Sequence, residues 1–335
     1  MTGAVRLHGL PRSYEKALTT LNTFQRRASA STERNVPNLS PRQKISAWLE
    51  ILGLDINRSC YIHVAGTKGK GTTCLYTENL IQTYNQKVGI ASKVGCLTSS
   101  HVTTVRERIL VDAQPITEES FTFHFWTLWK NMRPAEPTVR LHAASPPMPG
   151  YPGFITLLAF HIFVEEAVGV VILETGMGGE TDSTNVITSP MATGITELGL
   201  DHTNRLGNKL ESIAWHKSGI FKPDAPAFSV PQQEAAARIL RGRACEKSVE
   251  LHFVDKTFIS NNHITIAPNE KFQRHNASLA LALAGVYVFA HAKSALHFVP
   301  SRRFQNLEHS SRRPEKLSTC RKKSTRMFDI PKKWK

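Results

Sequence analysis

Apolar positions along this chain alternate between helical spacing and short continuous runs. In "SYEKALTTLNTFQRR" (Ser13–Arg27) a serine cap precedes Tyr14, Ala17, Leu18, Leu21 and Phe24, which share one helical face. "SPRQKISAWLEILGLD" repeats that grammar, with Ser40 as cap, Pro41 at the first helical position and Gly53 as a stop. "YIHVAG" is a β-rich run with a helix expected from about Gly71, and "VGIAS" (Val88–Ser92) reads as another short strand. "TEESFTFHFWTLWKNM" has amphipathic helical spacing, and a proline-rich loop spans 133–152. The helix "GFITLLAFHIFVEEA", the apolar strand "VGVVILE" and the strand "MATGITELG" follow. Further on come a helix over about 208–218, the strand "APAFSV" and the helix "PQQEAAARILRGRACEK". Short strands near Leu251 and Ile264 precede a last helix from about Phe272. Fully apolar strands alternating with helices predict an α/β fold, a mostly parallel sheet with helices on both faces.

That pattern dissolves after residue 290. The last 45 residues carry 13 Lys/Arg against 3 Asp/Glu, so +10 of the chain's +15 lies there, and apolar residues become sparse. The expected organisation is therefore one domain over 1–290 and a basic, disordered tail over 291–335. With so little net charge on the body, no specific nucleic-acid partner is expected, and a solvated tail is the favoured reading. Five cysteines without a C-x-x-C pair argue against a disulfide framework and for a reducing compartment. The longest apolar run, near 277–292, is short and broken by Gly285 and Tyr287, so no transmembrane segment is expected. The start of the chain lacks a secretory signal pattern, while a matrix-targeting peptide is only weakly disfavoured by Glu15.

Candidate chemistry clusters after the apolar runs. In "YIHVAGTKGKGTTC" (Tyr61–Cys74), Gly66, Gly69 and Gly71 let backbone amides turn inward, and the following helix aims its positive end at the same place. Lys70 would neutralise phosphate oxygens, and Thr72 or Thr73 offers a hydroxyl to Mg²⁺; a plain Gly/Lys surface turn is the alternative. Glu174 opens "ETGMGGETDSTNVI" directly after an apolar strand, at the sheet edge where α/β folds bind ligands. An acidic strand-end turn would look the same, and Asp182 could hold that loop or a water. Asp201 and His202 in "ELGLDHTNRLG" emerge at the same edge if the strands are neighbours, although a lone histidine is more often structural. Lys217 in "IAWHKSGIFKP" reads by itself as a cation at a helix C-terminus. Gln273 and Asn276 fall at i, i+3 on one face of a first helical turn, where caps are the bland reading.

Taken in order, "SYEKALTTLNTFQ", "HVAGTKGKGTTC", "TSSHVTTVRERI", "ETGMGGETDSTNVI", "LGLDHTNRLGNKLESIAWHKSGIFK" and "FQRHNASLALALA" closely resemble the folylpolyglutamate synthase family, ATP-dependent amide ligases of Mur-ligase type, in its eukaryotic form. The resemblance covers residues 13 to about 290. It implies an ATP-binding loop of Gly66, Thr67, Lys68, Gly69, Lys70, Gly71, Thr72 and Thr73, with Lys70 on the phosphates. It implies magnesium ligands at Ser99, Glu174 and His202, and an amide pair near the adenine at Gln273 and Asn276. Lys217 matches a lysine that family members can carry as a carbamate, and Lys70, Lys217 and His202 are the implied catalytic residues. The implied cofactors are ATP, Mg²⁺ and a monovalent cation. The implied substrates are folate and L-glutamate, joined through an acyl phosphate by a monomer in the cytoplasm and also in mitochondria.

Two departures bear on that expectation. The family's "TSPH" stands here as "TSSH", so Ser100 replaces a proline in the loop carrying Ser99. The family's later "PGR-x-Q"-like and "DGAH"-like strings, which belong to its C-terminal ligase domain, are not found in this chain. The expectation is thus an ATP-binding domain with the C-terminal ligase domain missing. Its readings are an active ligase completed by a partner, an inactive ATP- or folate-binding remnant, and a non-functional fragment.

Overall fold

The structure, a computed structural model, describes residues 13–27, 39–132, 146–255, 259 and 270–297. Eight strands form one sheet in the order β4-β3-β2-β5-β1-β6-β7-β8. The strands are β1 (Cys60–Ala65), β2 (Val94–Leu97), β3 (Ile109–Val111), β4 (Gln114–Pro115), β5 (Val170–Glu174), β6 (Ala192–Ile195), β7 (Ala227–Ser229) and β8 (Leu251–Phe253). From β2 through β8 every neighbouring pair is parallel, while the β2–β3 and β3–β4 pairs are antiparallel, so only β3 runs against the rest. The mostly parallel α/β sheet expected from the apolar runs is the one observed.

Both faces are covered, as continuous apolar strands require. Side chains alternate across the sheet with period two: Tyr61, Val171 and Leu173 join one core, while Ile62, Val64, Val170 and Ile172 join the other. The first core holds α1 (Tyr14–Arg27), α2 (Pro41–Leu52), α4 (Glu118–Met132) and α5 (Tyr151–Glu165). Helix α5 is buried from Gly153 through Phe163, which explains why its sequence lacks a polar face. The opposite core is built on α3 (Lys70–Val88) and α9 (Lys271–His297), locked together by the Tyr287 hydroxyl donating to Asn85 Oδ1 at 3.1 Å. A third cluster joins Ala65 and Ile195 to α7 (Leu210–Lys217) and α8 (Glu234–Glu246); the short α6 (Thr203–Leu206) lies between β6 and α7.

Several boundaries differ from the sequence expectation. "VGIAS" is not a strand: Val88 ends α3, Gly89 caps it in the left-handed region at φ 73°, and β2 begins only at Val94. The β3–β4 hairpin was not expected. Its turn is Asp112–Ala113, both at positive φ (52° and 62°), a tight reversal without the usual glycine. Asp112 stabilises the reversal by accepting the Val94 amide at 2.8 Å. Helix α9 continues to His297, seven residues past the expected boundary at 290. The strand expected near Ile264, most of the proline-rich loop and residues 298–335 lie outside the described residues. Among the described residues no helix is long and apolar enough to cross a membrane.

Candidate active site

Because β2, β5, β1 and β6 are adjacent and parallel, their C-terminal ends meet at one edge, and the loops after them form the site. The loop after β1 is the glycine-rich segment. Gly66 sits at φ 153°, and a Cβ there would lie 1.8 Å from Thr196 Oγ1. Gly69 caps α3 at φ 83°, where a Cβ would lie 2.2 Å from Asn276 Oδ1. Only glycine fits either place. The loop is pinned sideways to the segment after β6: the Thr67 and Lys68 amides donate to Glu197 O at 2.9 and 3.2 Å, and Thr67 Oγ1 donates to Gly199 O at 3.1 Å. Lys68 is exposed, whereas Gly66 is buried.

Next to this loop stands an acid–hydroxyl pair. Glu174, last residue of β5, is 5% exposed and accepts the Ser99 amide on Oε2 and the Ser99 hydroxyl on Oε1, both at 2.8 Å. Lys70 Nζ lies 3.8 Å from Glu174 Oε1 and donates to Thr67 O at 3.4 Å. A Cβ on Gly71 would lie 3.4 Å from Glu174 Oε2, so the first turn of α3 passes directly over the carboxylate. Loop, lysine and acid–hydroxyl pair are therefore one assembly. Three buried hydroxyls at this edge, those of Thr73, Thr175 and Thr196, have no hydrogen-bond partner among the described residues. Unpaired buried hydroxyls are costly, and a phosphate-bearing ligand with its metal would supply the missing partners.

Lys217, at the end of α7, is 2% exposed and donates to Gly66 O at 2.5 Å. Burial, then the nearby Lys70 charge, hold its ammonium down to about 8. The segment after β5 fixes it there, since Gly179 packs where a Cβ would meet His216 O and Lys217 O at 2.7 Å. Asp182 holds that segment, accepting the Met177 amide at 2.8 Å and the Thr184 amide and hydroxyl at 2.9 and 2.7 Å. Asn276, on the first turn of α9, donates to Gln273 Oε1 at 3.3 Å and lies against Gly69, so this amide pair borders the loop.

His202 is not joined to Ser99 or Glu174. It pairs with Asp201 at 3.5 Å, is 40% exposed, and adopts φ 49°, uncommon for a residue other than glycine. Among the described residues no three His, Cys, Asp or Glu side chains converge as a metal cluster. Ser99 Oγ and the Glu174 carboxylate remain a hard-oxygen pair, which suits Mg²⁺: this ion commonly takes one or two carboxylates and completes its shell with phosphates and water. Sequence reasoning missed Gln232, whose Nε2 donates to Thr196 O at 2.9 Å and whose Oε1 accepts the Leu198 amide at 3.0 Å. Its place three residues after β7, on the same edge, was the available signal. Ser100 is exposed, and its carbonyl lies 3.4 Å from Thr98 Oγ1.

No family model matches the chain. Among curated proteins, folylpolyglutamate synthase of Neurospora crassa is 37% identical over 281 residues, covering 82% of this chain and 53% of that protein. The mitochondrial folylpolyglutamate synthase of Cricetulus griseus is 40% identical over 280 residues, covering 81% and 46%. Among solved structures, an "FPGS-AMPPCP-folate complex" superposes with a TM-score of 0.65 at 23% identity, over 84% of this chain and 68% of that one. Folylpolyglutamate synthase of Mycobacterium tuberculosis complexed with ADP gives 0.66 at 23%, over 83% and 63%. The structural likeness establishes the shared fold, and the chain spans about half the length of the curated relatives it matches. Over that span, by sequence and by fold, the chain belongs to the folylpolyglutamate synthase family.

Proposed function

We propose that this chain forms the ATP-binding half of a ligase that adds glutamate to the γ-carboxyl of a folate. The observation that carries this reading is the meeting of the Gly66–Thr73 loop, Lys70, the Ser99–Glu174 pair and Lys217 at one sheet edge. In the proposed reaction a folate carboxylate oxygen bonds to the γ-phosphorus of ATP, the bond to the β-phosphate oxygen breaks, and ADP leaves. The amino nitrogen of glutamate then attacks the acyl carbon of the acyl phosphate, phosphate departs, and the amine loses a proton. Two anions must approach in the first step, so charge neutralisation and positioning are the work required of the protein. Lys70 and the helix α3 N-terminus would hold the β- and γ-phosphates. Ser99 and Glu174, with His202 as third ligand, would hold Mg²⁺, which supplies further positive charge at the phosphates. Gln273 and Asn276 would border the adenine.

Lys217 has a separate part in this reading. An ammonium held near 8 leaves free amine available around neutral pH, as carbamate formation requires. The family's carbamate would turn that position from cation to anion beside the loop. A folate-bound and an ADP-bound relative support the substrate assignment, and a relative named as mitochondrial supports a mitochondrial location beside the cytoplasmic one we expect.

The purified chain, incubated with ATP, Mg²⁺, tetrahydrofolate and glutamate, is expected to yield folate heavier by one glutamate in mass spectrometry. Lys70→Ala should abolish that gain. ATP binding that is lost in Lys70→Ala, with no mass gain in the unchanged chain, would set the ligase reading aside in favour of nucleotide binding without ligation.

A further inference from the structure

Behind the loop that fixes Lys217 lies a group of charges that the proposed reaction does not use. Four cations, Arg42, Lys222, Arg243 and Lys247, gather where the segments 179–182 and 219–222 meet. Two carboxylates face them. Arg243 takes both, donating to Glu180 at 2.5 Å and to Glu246 at 2.9 Å. Lys247 lies 3.7 Å from Glu180 and donates to Gly219 O at 3.0 Å and Phe221 O at 3.3 Å. That leaves Arg42 and Lys222. Among the described residues neither side chain has a hydrogen bond or an ion pair, although Lys222 is only 8% exposed.

Backbone contacts draw these residues together from distant parts of the chain. The Arg42 amide, in the first turn of α2, donates to Thr181 O at 3.1 Å. The neighbouring Glu180 packs against Gly219, where a Cβ would stand 2.3 Å from Glu180 Cα. Lys222 follows three residues later. Burial, then the charges of Arg42 and Lys247, hold the Lys222 ammonium down to about 8, with Glu180 opposing. Lys222 also acts on His63, on the strand face shared with Tyr61, so the group lies on the sheet face away from α3 and α9. A buried lysine with no counter-ion among the described residues, near a second cation likewise unpaired among them, is poorly explained by folding stability, because an uncompensated buried charge is a cost.

We propose that Arg42 and Lys222, with Lys247 behind them, form a second anion site, separate from the phosphate loop, for a small oxyanion of carboxylate or phosphate type. The planar guanidinium suits two-point contact with such a group, and the lysine adds a point charge. A bound oxyanion supplies the counter-charge that Glu180, already shared by Arg243 and Lys247, does not. Its source is either a carboxylate of a γ-glutamyl substrate tail or free phosphate. The site itself does not rest on the ligase reading.

The test is thermal unfolding of the full chain with Mg²⁺ and saturating ADP, so that the phosphate loop is filled. Sodium phosphate and γ-glutamylglutamate are titrated separately, each against sodium chloride of equal ionic strength. A saturable rise in Tm with either probe, weakened at least tenfold in Arg42→Gln and Lys222→Met and largely kept in Lys222→Arg, supports the site. A response to the dipeptide alone assigns it to substrate carboxylates, and a response to phosphate alone assigns it to free phosphate. Without any probe, Lys222→Met should unfold at a higher temperature than the unchanged chain, since the unpaired charge is gone. Two results would overturn the proposal: no saturable rise beyond that of chloride with either probe, or a rise of equal midpoint in Arg42→Gln and Lys222→Met.

Discussion

Glu78 is a residue whose charge works against the fold. It lies on α3 with 1% exposure, and its carboxylate accepts the Ala113 amide at 3.0 Å. Burial raises its pKa to about 7 from 4.5, while the amide pulls the other way. The folded state therefore keeps a proton that the unfolded state releases, and stability present below about pH 4.5 is lost as pH rises to about 7. Glu78→Gln keeps an acceptor for Ala113 and removes the charge. Its Tm should match the unchanged chain at pH 4 and exceed it at pH 8, by about 1–3 kcal/mol in stability. An equal difference at both pH values would contradict this account. Gly69 is the opposite case, a residue that the geometry of the proposed phosphate loop requires. Gly69→Ala forces a side chain into the left-handed region against Asn276, costing about 1–2 kcal/mol in backbone strain alone. ATP affinity measured by calorimetry should fall at least tenfold while the fold survives. The need for Gly69 was legible in the glycine-rich string. The state of Glu78 was not, because nothing in a helix pattern says which surface the hairpin will cover.

Around the end of α7 the elements are held in place by close backbone approaches. The turn that follows α7 packs on the segment after β5, with Gly219 against the Glu180 backbone and Gly179 against the carbonyls of His216 and Lys217. Neither neighbour is a flexible side chain that can swing away. Gly219→Ala should lose about 3 kcal/mol, lowering Tm by roughly 6–12 °C, and should displace Lys217 from the phosphate loop. Gly242 gives the contrast: it lies within α8 with nothing within 4 Å of its missing Cβ. Gly242→Ala should raise stability by about 0.5–1 kcal/mol through helix propensity, read by the same melting experiment. Equal and opposite outcomes from the two glycines would mean that packing around α7 is looser than these distances imply. The sequence marked α7 and α8 clearly by period, yet it offered no way to rank their glycines. The same limit explains the misread "VGIAS", where β-branched and small residues at a helix end imitate a strand until Gly89 is seen as the cap.

At the scale of the whole molecule, local pattern revealed the strands but not their order. Runs such as "VGVVIL" announce burial on both faces, and Glu174 and the Gly66 loop could be grouped by the rule that parallel strands present their ends together, whereas Ser99 came only from the family resemblance. That is why the edge carrying the candidate site was readable. The hairpin was not, because Asp112–Ala113 lacks the expected glycine. The proximity of Arg42 to Lys222 was not either, since the two are far apart in sequence and are brought near only by tertiary contacts. The observed order has a testable consequence. Strands β5 and β1 sit centrally, each paired on both sides, and both are covered by α5 on one face and α3 on the other. Strand β8 is an edge with partly exposed residues, and β4 is a two-residue edge with both residues exposed. Amide exchange should open such edges locally, while the central strands open only when the whole sheet unfolds. In hydrogen–deuterium exchange read by mass spectrometry, peptides of β1 and β5 should be slowest and peptides of β4 and β8 fastest. Saturating ADP should slow the Gly66–Thr73 loop and the first turn of α3 while leaving β8 unchanged, since the nucleotide would meet the sheet only at its carboxyl edge. Slowing of β8 to the same degree would instead mean that the sheet responds to nucleotide as one unit, and the edge would not be the boundary described here.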